Sequence, residues 1–205
     1  VRKIASDAAL PSAEKKDSQG ICFVGKIDLP VFLQQKLEPK NGVVIEIFES
    51  YYSNNYHFKN CISGYSMVDD ESLVLLSTPY SYNRDSGIVI GKHNGAHFYT
   101  IGQRKGLNIG GHKEPLFIIG TDIENNVIYT GEGQSHPGLY RKGLFISREE
   151  IHWIREDLMM FPGESRDYDI RIRYRQPLQK GRLYMRGEGL YIIFDEPQRG
   201  VTPGQ

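Results

Sequence analysis

The stretch LFIIGTDIENNVIYT, residues 116–130, carries the pattern that decides the fold class. Two short apolar runs, 116–120 and 127–130, stand on either side of a polar segment rich in aspartate and asparagine. Short runs of branched and aromatic residues bounded by turn-forming residues are typical of β-strands. The stretch therefore predicts two strands separated by a turn.

The same pattern recurs along most of the chain. Further candidate strands are residues 43–48, 73–76, 88–90, 97–101, 144–147, 169–175, 183–185 and 190–194. A short apolar run at 21–24 also suits a buried strand, whereas helices are expected only near the start, over 1–10 and 28–39. Many short strands separated by turn signals predict a mainly β (α+β) protein, as a barrel or a sandwich.

The composition limits the kinds of protein and the kinds of binding partner that the sequence can represent. The 205 residues hold 25 basic and 25 acidic side chains, so any nucleic acid must be bound by a local patch of charge. No apolar run approaches the roughly 18 residues that a membrane span needs. Two cysteines, Cys22 and Cys61, make no disulfide framework. These features predict a soluble protein of the reducing cytoplasm.

Both ends of the sequence suggest a fragment of a longer protein. The first helix lacks a capping residue, and the last residues, TPGQ, end on a turn signal. Within the chain we expect a short segment over 1–20, a central domain over 21–113 and a further domain over 114–205, with the boundary at a glycine-rich loop. The polar, tyrosine-rich stretch 46–86 is either a surface excursion or a binding element.

A basic segment, DIRIRYR at 169–175, is a candidate polyanion site. In a strand, its arginines would face outward while Ile170, Ile172 and Tyr174 face the core. The cations of this segment and of the residues after it are Arg171, Arg173, Arg175, Lys180, Arg182 and Arg186. Arginine matches phosphate geometry. The alternative is a solvated face with ion pairs to Asp167 and Asp169.

A glycine-rich basic loop lies within residues 93–111. Its glycines permit close approach of a ligand, and Gln103, Arg104 and Lys105 supply hydrogen-bond donors. The spacing matches neither a Walker loop nor a dinucleotide fingerprint, so a simple connection is the alternative. His93 and His97 have no third ligand nearby, and we predict no metal cofactor.

Cys22 stands in KKDSQGICFVGK, residues 15–26, between a polar approach and an apolar run. A free cysteine in an apolar run usually packs as a small hydrophobe. Flanking lysines favour the reactive thiolate, while Asp17 and Asp28 oppose it. The residues alone leave both interpretations of Cys22 open.

Four motifs in order carry a family resemblance. They are KKDSQGICFVGK, HFYTIGQRKGLNIGG (97–111), RIRYRQPL (171–178) and the terminal TPGQ. Together they resemble the tRNA-specific 2-thiouridylase family, which puts sulfur on C2 of the wobble uridine, position 34. The resemblance implies that the chain is the C-terminal portion of such an enzyme: the tail of an ATP-binding catalytic domain, a central domain and a β-barrel. A pyrophosphatase-loop domain that adenylates the uridine with ATP would lie upstream.

The resemblance also assigns residues. Cys22 would carry the persulfide and later form a disulfide with an upstream cysteine, whereas the family gives Cys61, in what resembles an insertion, no role. Arg173, Tyr174 and Gln205 match tRNA-binding positions, and further possible tRNA contacts are Gln103, Arg104, Lys105, Arg171 and Arg175. Implied partners are tRNA and a sulfur-carrier or cysteine-desulfurase-linked donor, with no membrane.

The fragment alone is expected to be inactive. The alternative interpretation is a non-catalytic β-barrel RNA-binding module with a structural Cys22. A methyltransferase is disfavoured, because no glycine motif for its nucleoside cofactor follows a strand.

Overall fold

The computed structural model describes residues 7–8, 38–53, 68–173 and 176–203. The chain divides into two compact units, 1–39 and 40–205, and the described elements belong to the second. The helices expected over 1–10 and 28–39 lie almost wholly outside the described residues, as does the strand expected at 21–24.

Strands make up most of the described structure. They are β1 (Gly42–Glu46), β2 (Ile88–His93), β3 (Leu116–Asp122), β4 (Val127–Glu132), β5 (Tyr140–Ser147), β6 (Ser165–Ile170), β7 (Gln179–Met185) and β8 (Gly189–Arg199). The α-helices are α1 (Ser50–Ser53) and α2 (Asp70–Ser77). Short 3₁₀ helices occur at Arg84–Ser86, Ala96–Phe98, Pro137–Leu139, Arg148–Glu150 and Glu156–Leu158. The predicted mainly β class is confirmed.

The first sheet has the strand order β2-β1-β4-β3. Its outer pairs are antiparallel, whereas β1 and β4 run parallel, with Glu46 opposite Thr130. The turn between β3 and β4 forms where the sequence predicted it. Asn126 adopts a positive φ of 54°, which asparagine tolerates, and Asp122 accepts a hydrogen bond from the Asn125 backbone at 2.9 Å.

Both faces of this sheet are buried, because successive side chains of a strand point to opposite sides. One face carries a cluster that includes Ile45, Phe117 and Tyr129. The opposite face packs Val44 and Ile128 against residues of the 96–109 segment, which crosses over it. Strands that are buried on both faces contain few polar residues, and the apolar runs of these strands fit that rule.

The strand predicted at 97–101 is wrong. The chain there forms the 3₁₀ helix Ala96–Phe98 and then a turn, entered through Gly95 at φ 141°. The Ala96 backbone donates a hydrogen bond to the Asn126 side chain at 2.9 Å. This long-range contact holds the segment over one face of the first sheet. The segment therefore packs across the strands and does not pair with them as a further strand.

The second sheet is antiparallel throughout, in the order β5-β8-β7-β6. One face buries a core that includes Met160, Leu183 and Phe194. On the other face, a smaller cluster joins Tyr191 and Ile193 to α2.

The strand predicted at 73–76 is also wrong, because these residues belong to α2. Asp69 caps this helix and accepts a hydrogen bond from the Ser72 backbone at 2.8 Å. Leu73 and Leu76 lie three residues apart, on one side of the helix, and both are buried. A four-residue apolar run is too short to separate a helix from a strand by its period.

The chain passes from the first sheet to the second between Glu132 and Tyr140. The domain boundary predicted near residue 113 falls before β3, and it stays a prediction. Since β3 and β4 join the first sheet through the pairing with β1, sheet membership depends on a contact between residues more than 80 positions apart in sequence.

Tyrosines from the 46–86 stretch pack in the core, so the surface excursion expected there is wrong for its described residues. Tyr52 is 1% exposed and its hydroxyl lies 2.6 Å from that of Tyr82. The Tyr52 ring also meets Tyr51 and Tyr80 edge to face. Burial raises the pKa of the Tyr52 phenol above its ordinary value, which keeps the hydroxyl protonated and able to donate.

In the described part of the chain, no helix has the length and apolar character needed to cross a membrane.

We expect Tyr52→Phe to lower the free energy of unfolding by about 1 kcal/mol, because it removes one buried hydrogen bond with Tyr82 and keeps the ring. Urea denaturation measures the change. Tyr51→Phe is the matched control, since its hydroxyl donates to the Ser81 carbonyl at the surface and should matter less. An equal loss in the two variants would contradict this account of the cluster.

His93 makes stability depend on pH. It is 4% exposed, its Nδ1 accepts a hydrogen bond from the Gly95 backbone at 3.0 Å, and burial lowers its pKa. The folded protein therefore keeps His93 neutral, whereas the unfolded chain takes up a proton below about pH 6.5. The free energy of unfolding should fall as pH drops through that value.

Replacing the side chain tests the assignment. In His93→Asn, the loss of unfolding free energy between pH 7.5 and 5.5 should be smaller than in the parent, by up to about 1.4 kcal/mol, because the unfolded histidine takes up its proton over about one pH unit of this range. Exposed His152, as His152→Asn, should leave the parent's pH dependence unchanged. The same slope in all three proteins would exclude His93 as the source.

Candidate nucleic-acid interface

The glycine-rich loop is held in place by Gln103. The Gln103 side chain accepts a hydrogen bond from the Thr100 backbone at 3.2 Å and donates one to the Lys105 carbonyl at 2.7 Å. The Ile118 backbone donates to the Gln103 carbonyl, which ties the loop to β3. Gly102 and Gly106 have positive φ values, 85° and 102°, which glycine adopts without strain. Gln103 thus shapes the loop.

Arg104 and Lys105 are the cations of this loop, and both are exposed. Within the described residues, neither side chain makes an ion pair or a hydrogen bond. Two neighbouring cations on a fixed backbone, without an acidic partner, form a site suited to a phosphate backbone.

The basic segment begins where β6 ends. The strand predicted over 169–175 is wrong in extent, because β6 covers Ser165–Ile170 and the chain then bends. Arg171 is exposed, whereas Arg173 is half-buried and its guanidinium donates to the Gly200 carbonyl. The expected row of three outward arginines on one strand is therefore not formed.

Two other arginines of the patch have acidic partners. Arg182 pairs with Asp167 on the neighbouring strand through two hydrogen bonds, at 2.6 and 2.8 Å, and Arg186 contacts Asp70 at 2.7 Å. The Arg182 guanidinium lowers the pKa of the Asp167 carboxyl. The ion-pair alternative from the sequence is confirmed for Arg182, whereas the Arg186 partner, Asp70, was not predicted; Lys180 is exposed.

Two motifs that are distant in sequence meet in the fold. Gly102 of the loop lies against Gly200: a Cβ on Gly102 would stand 3.9 Å from the Gly200 Cα. The Gly200 backbone donates to Leu139, and its carbonyl accepts from Arg173. The loop motif, the basic segment and the C-terminal motif therefore converge on one region of the surface.

A cavity of about 690 Å³ opens in this region. Its walls include Tyr99 and Ile101 of the loop motif, the half-buried cation Arg141, and Thr202 of the C-terminal motif with its neighbour Val201. The mixture of aromatic, aliphatic and cationic surface suits an amphipathic ligand such as a nucleotide.

Arg141 is a residue of this cavity that sequence reasoning missed. Its guanidinium donates to the Ser77 carbonyl, while its buried Nε has no partner among the described residues. Burial lowers the pKa of Arg141 from its ordinary value. Its sequence neighbours form no motif, so only the packing of α2 on the second sheet brings it to the cavity.

Four of the predicted site residues lie outside the described part of the chain: Cys22, Tyr174, Arg175 and Gln205. Their roles stay predictions.

Comparison with known proteins agrees with the order of the motifs. Three family models match along the chain: a tRNA methyl transferase HUP domain at 1–26, a tRNA methyl transferase PRC-barrel domain at 81–132, and an aminomethyltransferase beta-barrel domain at 144–205. Their matches fall in the order that the resemblance implied.

Curated relatives align over the whole chain. The tRNA-specific 2-thiouridylase MnmA of Christiangramia forsetii is 51% identical over 208 residues, and that of Flavobacterium johnsoniae 50% over 205; each alignment covers 100% of this chain and 51% of the relative. The Chlamydia pneumoniae protein of the same name is 35% identical over 206 residues, covering 45% of its length. The chain spans about half the length of the curated relatives it matches. The alignments, which cover the whole of this chain, and the three domain matches show that the chain belongs to the tRNA-specific 2-thiouridylase family.

Proposed function

We propose that this chain is the C-terminal portion of a cytoplasmic enzyme that replaces the C2 oxygen of the wobble uridine of tRNA with sulfur. The observation that carries the proposal is the convergence of the loop motif, the basic segment and the C-terminal motif around one cavity. The names of the relatives support the reaction class.

In this proposal, the described surface positions tRNA. Arg104 and Lys105 contact phosphates, and Arg171 extends the same positive surface. Arg173 fixes the backbone at Gly200, five residues before Gln205. Gln205, Tyr174 and Arg175 supply further contacts to the tRNA in this proposal. Contacts of this kind set the register of the RNA, while shape and the extruded base set selectivity.

The sulfur chemistry is assigned to Cys22. A domain upstream would hold ATP and supply the adenylation of the uridine oxygen at C2, with pyrophosphate as the leaving group. The terminal sulfur of a Cys22 persulfide attacks C2, and AMP leaves with the oxygen. The thiolate of an upstream cysteine then attacks the Cys22 sulfur, which releases the thiolated base and leaves a disulfide. The family match at 1–26, to a HUP domain, supports the upstream partner. A sulfur-carrier or desulfurase-linked protein reloads Cys22 after reduction.

A non-catalytic RNA-binding module remains the second candidate function, because the described surface by itself supports only binding. Two of the matching models carry descriptions that mention tRNA methyl transfer. Methyl transfer is not favoured, since the relatives aligned over the whole chain are named thiouridylases.

We expect Cys22→Ser in the full-length protein to abolish 2-thiouridine formation and to leave tRNA affinity within about twofold, because serine cannot carry a persulfide. Mass spectrometry of digested tRNA measures the modified base, and filter binding measures affinity. Cys61→Ser is the matched control and should remain active. Normal thiolation in the Cys22 variant would favour the module without chemistry.

Removing the loop cations should weaken tRNA binding and its dependence on salt. For Arg104→Ala/Lys105→Ala, we expect the slope of log K against log salt to decrease in magnitude by about 1.4 to 1.8, as for two lost phosphate contacts. Arg155→Ala is the control, because Arg155 is exposed but already pairs with Asp157 at 2.5 Å. An unchanged slope in the double variant would place the RNA elsewhere.

A further inference from the structure

We propose that Glu46, His112 and Glu132 form a binding site for a divalent transition-metal ion, with Zn²⁺ as the best chemical match. The three side chains offer one nitrogen and two carboxylate oxygens, and these donor atoms all lie within 4.8 Å of one another. The site uses none of the residues assigned to the proposed function, so it does not depend on that function.

The parallel pairing of β1 and β4 places the two carboxylates side by side. Glu46 ends β1 opposite Thr130, and Glu132 ends β4 two residues later, on the same face of the sheet as Thr130. This is the face that the 96–109 segment covers. His112 lies three residues after that segment, and its side chain contacts Glu46 at this end of the sheet.

The distances suit a metal site. His112 Nε2 lies 3.1 Å from Glu46 Oε2. Two ligands of a tetrahedral zinc ion stand about 3.3 Å apart, given zinc–ligand bonds of about 2.0 to 2.1 Å. Glu132 is half-buried, and one of its carboxylate oxygens accepts a hydrogen bond from the Glu114 backbone at 2.7 Å, which holds the carboxylate beside the other two donors.

The environment of Glu46 favours a cation. Glu46 is 4% exposed, and within the described residues His112 is the only hydrogen-bonding or ionic partner of its carboxylate. His112 in turn has a buried Nδ1 without a hydrogen-bond partner in the described structure. A buried carboxylate with one neutral or singly charged partner is costly, and a bound divalent ion would be the largest compensating charge available.

A cavity of about 340 Å³ is lined by Glu46 and Glu132, two of the three donors. Glu49 and Glu114 line it and add negative charge, while Lys113 stands beside them. Three protein ligands next to an open cavity leave a coordination position for water or another small ligand. His136 also lines the cavity but is not a fourth ligand, because its Nε2 hydrogen-bonds to the Ile47 carbonyl at 2.9 Å and its Nδ1 accepts from the Gly138 backbone.

The donor set selects the class of metal. Imidazole nitrogen suits zinc, iron, cobalt and nickel, whereas calcium and magnesium prefer sites built entirely from oxygen. No sequence motif points to this site, since the three residues are 66 and 20 positions apart and match no metal motif.

Cobalt(II) titration of the purified chain tests the proposal. Tetrahedral cobalt shows intense visible ligand-field bands, and a thiolate ligand adds a near-ultraviolet charge-transfer band. We expect saturable visible absorption without the thiolate band in a Cys22→Ser/Cys61→Ser background. His112→Asn and Glu132→Gln in that background should each weaken binding at least about tenfold.

Two matched variants separate the site from its surroundings. Glu114→Gln removes a carboxylate of the same cavity, and His152→Asn removes an exposed histidine elsewhere; both should bind cobalt like the parent. Added Zn²⁺ should raise the melting temperature of the parent and not that of His112→Asn, whose circular dichroism without metal confirms folding. Absence of saturable binding, or equal binding in the parent, His112→Asn and Glu132→Gln, would overturn the proposal.

Discussion

The parallel pairing of β1 with β4 is the contact on which the described structure depends. It joins residues 43–46 to residues 127–130 and makes one sheet of strands that are separated by more than 80 positions. Parallel strands need a long crossover connection, and here the crossover holds the tyrosine-rich stretch, α2, β2 and the glycine-rich loop. The tyrosine-rich stretch packs on one face of this sheet and the glycine-rich loop on the other, whereas α2 packs against the second sheet.

The proposed tRNA-binding surface depends on the packing of the glycine-rich loop against the first sheet. The glycine-rich loop is tied to β3 through Gln103, so Arg104 and Lys105 are presented on a rigid backbone. Its Gly102 meets Gly200 after the last strand, where Arg173 holds the chain by a hydrogen bond. Rigid positioning of a few cations suits the binding of a folded RNA, whose phosphates have a fixed geometry. The same pairing of strands brings Glu46 and Glu132 together.

Sequence reasoning succeeded where the signal was local and failed where it was not. The runs that became β3, β4 and β8 were identified because apolar stretches end at turn residues. Residues 73–76 were predicted as a strand because four apolar residues have no resolvable period, and their helix depends on the Asp69 cap and on burial against Tyr191. The buried Tyr52 cluster was mistaken for surface because tyrosine is amphipathic, and only a partner such as Tyr82 decides whether its hydroxyl is buried.

The sequence by itself determined the mainly β class, the order of the motifs and the family, because strand periodicity and motif identity are properties of neighbouring residues. It also supplied Arg104 and Lys105 as exposed cations of a glycine-rich loop. Only the tertiary structure decided that Arg182 and Arg186 are paired with acids, that Arg141 reaches the cavity and that His112 meets Glu46. These are contacts between residues far apart in the chain, and their free energies depend on burial and on distance, which no local pattern encodes.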